Sequence, residues 1–234
     1  MNEQMRKAVF ATFVGMSILL GGLLSTGTAF AQTQAYKQLS AQWWQWILSV
    51  PVDENPLLDT TGASCMVGQR GSDWFLAGGF GGGTVTRSCS VPAGTSLFFP
   101  VVNSVGFDTP YVCGQTDPIP SSVYRAAAAD FINGVGNAWV TLDGETIGDL
   151  QRVKSLVFKL ALPEDNLFTG ICEYYGLGPL PSGIYSPAID DGIYVRLNPL
   201  AAGPHTLVFH AENTSQSFSL DVTYHLVVVP VVTK

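Results

Sequence analysis

The spacing of apolar residues changes character along the chain. Between residues 34 and 50, Tyr36, Leu39, Trp43, Trp46, Ile47 and Val50 recur at steps of three and four. That spacing draws one apolar stripe down an amphipathic helix. Pro51 predicts its end, because proline disfavours helical geometry in the residue before it. Further on, the period shortens to two. Leu156, Phe158, Leu160 and Leu162 fall on one face of an extended chain, with Val157, Lys159 and Ala161 on the other. Stretches of this kind predict strands over 73–77, 84–91, 96–103, 137–142, 154–162, 192–197, 205–212 and 217–229. Pro92-Ala93-Gly94 reads as a turn and Asp143-Gly144 as a tight hairpin. Pro120 before two serines, an alanine-rich middle and Asn133-Gly134 predict a short second helix over 121–133.

Eight short strands with Gly/Pro turns predict an all-β fold. The expectation is a single jelly-roll-like β-sandwich with an N-terminal helix and one inserted helix. No internal repeat or low-complexity linker divides the chain, so one domain is expected over 32–234. Two stretches lack periodicity, 104–120 and 163–191. Loops of that length in a compact domain are expected to bind something. Gly78 to Gly83 is glycine-dense but lacks the lysine and following helix of a phosphate loop, so it reads as a hairpin turn.

The first thirty-one residues have a different design. Arg6 and Lys7 precede an apolar run from Ala8 to Leu24, and Ala29-Phe30-Ala31 follows. This is the pattern of a secretory signal peptide cleaved after Ala31. An uncleaved anchor is the alternative. No cysteine follows the run and no twin-arginine pair precedes it, which points to the general secretory route and a periplasmic or secreted product. No second apolar run is long enough to span a bilayer. With 47% hydrophobic and 12% charged residues, the chain is not of disordered type. Its net charge is −7, and losing the leader removes two cations and one anion. An acidic exported chain is a poor partner for nucleic acid.

All four cysteines, Cys65, Cys89, Cys113 and Cys172, lie beyond the leader. An even count in an exported chain predicts two disulfides. Of three pairings, Cys65–Cys89 with Cys113–Cys172 is expected. The second bond would tie the two long loops into one rim. A zinc site is the rival, although no C-x-x-C is present.

The sequence holds no G-x-S-x-G nucleophile motif. His205 and His210 are five apart and so face opposite ways in a strand. His210 and His225 would meet across a final hairpin around 213–216, as a copper or zinc pair or as half-buried histidines. Asp190-Asp191-Gly192 and Glu164-Asp165-Asn166 are oxygen-rich clusters that suit calcium, a possible cofactor, or solvated turns. Asn213-Thr214-Ser215 is formally a glycosylation sequon and reads as a turn. Paired carboxylates would suit a hydrolase or lyase acting on a polysaccharide. Among the loop acids Glu54, Asp108, Glu173 and Asp190, Glu173 is the expected acid, with Asp108 or Glu54 as partner. Cys172 precedes it, and Tyr174 and Tyr175 would shield it. Binding without catalysis needs only flat apolar faces for a glycan or a small apolar ligand. Tyr111, Tyr174, Tyr175 and Tyr185 on the long loops are candidates. Trp44, which falls off the main helix stripe, is another. Trp43, Trp46, Trp74 and Trp139 are expected in the core.

The runs Trp43-Trp44-Gln45-Trp46, Asn55-Pro56-Leu57-Leu58-Asp59, Trp74-Phe75-Leu76-Ala77-Gly78, Val91-Pro92-Ala93-Gly94 and Phe98-Phe99-Pro100 resemble those of a group of exported bacterial proteins without an assigned activity. The resemblance implies export and a bacterial source and carries over no catalytic residue. An exported binding or structural protein, with its ligand on loops 104–120 and 163–191, is the leading expectation. The polysaccharide-acting enzyme is one alternative. A cell-surface assembly subunit that offers strand 217–229 as a pairing edge is another.

Overall fold

The structure, a computed structural model, describes residues 19–230, with side chains from Phe30 onward. Arg6, Lys7 and most of the expected apolar leader lie outside the described residues. The chain divides into two compact units, residues 1–36 and 37–234. The described part of the first is the beginning of α1 (Leu19–Leu48), which is helical through Ala31. None of the described helices is long and apolar enough to cross a membrane.

Within the second unit, α1 exposes only a narrow polar stripe, Gln38, Gln42, Gln45 and Ser49. Ser40, Ala41, Trp43, Trp44, Trp46, Ile47 and Leu48 are all buried. The helix is therefore enclosed on more of its circumference than one apolar stripe predicts. The Trp43 indole N–H donates to Leu76 O at 2.9 Å and that of Trp46 to Val67 O at 2.8 Å. Buried indoles need such acceptors. Asn55 closes the helix: its side-chain amide donates to Ile47 O and Val50 O, carbonyls that the helix end leaves unpaired.

Two mixed five-stranded sheets follow. In the first, β1 (Asp73–Phe75) runs parallel to β3 (Ser96–Phe107), and β3 pairs antiparallel with β8 (Gly183–Leu197). The far side of β8 pairs with β6 (Gln151–Lys154) and β7 (Phe158–Leu162). The second sheet has the order β2 (Gly83–Pro92), β10 (Phe218–Val229), β9 (Gly203–Asn213), β4 (Asn137–Leu142), β5 (Glu145–Thr146). The β4–β5 hairpin turns on Asp143-Gly144 as expected, with Asp143 at φ 53°. Leu97, Phe99, Val101 and Val195 of the first sheet share one core with Val85, Val140, Phe209, Val222 and Leu226 of the second. Phe99 stacks on Phe209 with ring centroids 5.0 Å apart. The molecule is a β-sandwich in this sense. The inserted helix, α2 (Ser121–Asn133), packs on β3 and β8, and a third helix, α3 (Thr169–Tyr174), was not expected.

Several expectations are corrected. Residues 154–162 form two strands, because the chain breaks at Ser155–Val157 with Leu156 and Val157 exposed. β3 runs on to Phe107 and β8 starts at Gly183, so both aperiodic stretches are shorter than expected. Gly78–Gly83 is no hairpin, since β1 and β2 belong to different sheets. β10 is not an edge: it lies between β2 and β9, both of its backbone sides paired. The outer side of β2 is covered in turn, where Ser88 N–H donates to Thr61 O. His210 pairs with Asp221 and His225 with Thr206, which separates the two histidines by about 13 Å along the strands. They cannot share a metal ion. Trp139 is no core residue; it is half-exposed and stacks on His210 at 5.5 Å.

Candidate functional site

Cys65 is bonded to Cys89 and Cys113 to Cys172, the expected pairing. The second bond ties the 108–120 loop to α3. Gly114 (φ 75°) lies so close beneath Leu177 that a Cβ there would meet its Cδ2 at 2.8 Å. On this rim Tyr111, Tyr174 and Tyr175 are 74%, 84% and 68% exposed. Tyr174 meets Tyr175 edge-to-face at 5.1 Å. Tyr185 is half-buried, donates to Pro181 O at 2.7 Å and packs on Phe107. Between the two loops lies a shallow depression of about 300 Å³ lined by Asp108, Pro110, Val112, Ile184 and Tyr185.

Of the expected acids Asp108, Glu173 and Glu54, Asp108 alone lines this depression. Asp108 is buried and accepts from the Gln115 amide at 2.6 Å, the Ile119 N–H at 2.9 Å and the Tyr124 hydroxyl at 3.2 Å. Burial works against its charge, but these three donors hold its carboxyl below the usual range. Tyr124 is pushed up to about 12, by burial first and by the Asp108 charge second. Asp108 is thus a locked anion that organises its loop. Glu173 is exposed on α3, without the aromatic shell expected around it, and Glu54 is exposed in a short 3-10 turn. Neither lines the depression.

Asp190 and Asp191 are not loop residues either. They sit in mid-β8, fully buried, and neighbours in a strand face opposite ways. They cannot grip one calcium ion together, and no cluster of three or more metal-ligating side chains occurs among the described residues. Asp191 takes a two-pronged pair from Arg152, Nε to Oδ1 at 3.0 Å and Nη2 to Oδ2 at 2.9 Å. Asp190 has no cationic partner. The Trp44 indole N–H donates to its Oδ1 at 2.8 Å and the Tyr194 hydroxyl to its Oδ2 at 2.9 Å. The Asn103 amide donates to that hydroxyl at 3.0 Å. Burial raises the Asp190 carboxyl to about 8, outweighing hydrogen bonds from Trp44, Tyr194 and Ser40, and the Asp191 charge pushes the same way. Trp44, expected to be exposed, is thus buried and fixed.

Both ends of this network reach a pocket of about 290 Å³. Trp43 and Trp44 of α1, the 78–81 glycine segment with Phe80, residues 100–105 of β3, Phe131 of α2, and Phe218 and Leu220 of β10 surround it. Its lining is apolar except for Asn103 and Ser104, and no charged side chain faces it. Glycine makes the arrangement possible. A Cβ on Gly192, paired with Asn103 across β3–β8, would come within 2.6 Å of the Asn103 Cβ and 2.7 Å of the Tyr194 ring. A Cβ on Gly79 would meet Leu220 at 2.9 Å. The sequence signal for this site was a pair of acids interrupting the apolar run 188–195, which read as a loop. Comparison of the chain with protein-family models, curated proteins and solved structures returns no match.

Proposed function

We propose that this chain is an exported, non-catalytic binding protein on a jelly-roll-like sandwich, and that it holds a small apolar molecule in the pocket between α1, β3 and β10. The pocket itself supports this: it is concave and lined mainly by indole, phenyl and aliphatic groups, with Asn103 and Ser104 its polar side chains. Ligand sites are built this way. Its volume is roughly twice that of the about 150 Å³ apolar cavity that takes up benzene. Two disulfides and the leader motif favour an oxidising compartment. Hydrolysis has less support, since Asp108 is saturated with donors and Glu173 and Glu54 stand in solvent. The test is thermal denaturation of the oxidised protein with naphthalene-sized compounds. A ligand at a hundredfold its Kd raises stability by about 2.7 kcal/mol, and tryptophan emission should change because Trp43 and Trp44 form the wall. If neither responds to any such compound, the proposal fails.

The rim favours a second ligand class. Tyr111, Tyr174 and Tyr175 offer flat faces on loops joined by a disulfide, the arrangement that stacks on sugar rings. Replacing Tyr174 and Tyr175 by Ala should abolish glycan retention on an affinity gel and leave the melting temperature unchanged. Full retention by the double variant refutes this second site.

A further inference from the structure

The pocket's chemistry narrows the ligand further, resting on the pocket proposal above. None of the lining side chains is charged. A carboxylate or ammonium head entering it would lose its water and find no countercharge in the lining, a heavy penalty in an apolar setting. The pocket is nevertheless not purely apolar. Asn103 spends one N–H on the Tyr194 hydroxyl. Its Oδ1 has no donor among the described residues, and it is not among the sealed polar atoms that lack partners, which are Trp74 Nε1 and Arg87 Nη2. A side-chain amide carbonyl accepts two hydrogen bonds. An unused acceptor on a residue that lines an apolar pocket suits one donor from the occupant. Tyr194 and the close fit at Gly192 fix where that acceptor stands.

We infer that the pocket selects uncharged molecules joining an apolar body to a single hydrogen-bond-donating head, such as a phenol, an alcohol or a primary amide, and that it rejects their carboxylate counterparts. Asn103 Oδ1 receives the head, and Trp43, Trp44, Phe131 and Phe218 surround the body.

Three probes of one shape test this against the oxidised protein at pH 6: 2-naphthol, naphthalene and 2-naphthoate. Titration calorimetry or tryptophan quenching should rank 2-naphthol first, up to roughly tenfold tighter than naphthalene, as one added hydrogen bond allows. The anion should bind at least about a hundredfold more weakly than 2-naphthol, the penalty for an unpaired charge. In Asn103→Leu the naphthol advantage should vanish while naphthalene still binds. Naphthoate binding as tightly as naphthol overturns the inference while leaving the pocket proposal standing. So does an unchanged naphthol preference in a folded Asn103→Leu protein. If none of the three binds, the pocket proposal falls and the inference with it. The ranking in the unsubstituted protein decides the matter even where the variant does not fold.

Discussion

Single side chains decide more here than any motif. Arg87 is 1% exposed in β2 with no carboxylate in contact. Its Nε donates to Asp59 O, its Nη1 to Ala77 O and Gly78 O, and its guanidinium lies 5.5 Å from the centre of the Tyr224 ring. It fastens the segment before β2 and the glycine segment that lines the pocket to the same strand. Arg87→Met should therefore leave Asp59 O and Gly78 O without this donor, while Ala77 O keeps the Tyr224 hydroxyl, and destabilise the protein by about 2 kcal/mol or more, as read from urea unfolding. Asp190 makes the opposite contribution. Its folded value of about 8 lies above the unfolded one of about 3.9. The folded state thus holds a proton that the unfolded chain gives up. The stability due to that proton is complete below about pH 4 and falls steadily as pH rises to about 8. Asp190→Asn should flatten this decline, a change that thermal melts recorded across the range would reveal. Melts that fall equally steeply in the variant would remove Asp190 from the explanation.

Among the elements, those with a clean period were legible. The α2 boundaries and the β4–β5 hairpin match the sequence reading, because capping and turn chemistry are local. β8 was half hidden. Ala188, Ile189, Asp190 and Asp191 are all fully buried, so no in–out alternation marks the strand, and two acids in succession imitate a turn. Trp44 was misplaced for a related reason: a helix buried nearly all round has no stripe to fall off. The site depends on side chains that meet across the fold, such as Trp44 and Asp190, 146 residues apart, and sequence spacing does not report such meetings. The rim is different. Its disulfide joins Cys113 and Cys172, separated by 59 residues. Replacing both by Ser should cost about 4 kcal/mol on the loop-closure estimate. Hydrogen exchange should show the loss first in 108–120 and α3, and loss spread evenly over both sheets would contradict a local role for the bond.

For the whole molecule, the order of strands has a consequence for when the fold can close. β2 is made early, yet its strand partner among the described residues is β10, the last of the described strands. β10 also forms the join between β2 and the rest of its sheet. The second layer of the sandwich thus stays incomplete until residues 218–229 are present, although β4 and β9 already carry part of the shared core. Pairing over such distances is slow. A chain made from its N-terminus therefore cannot complete this layer before its keystone strand exists.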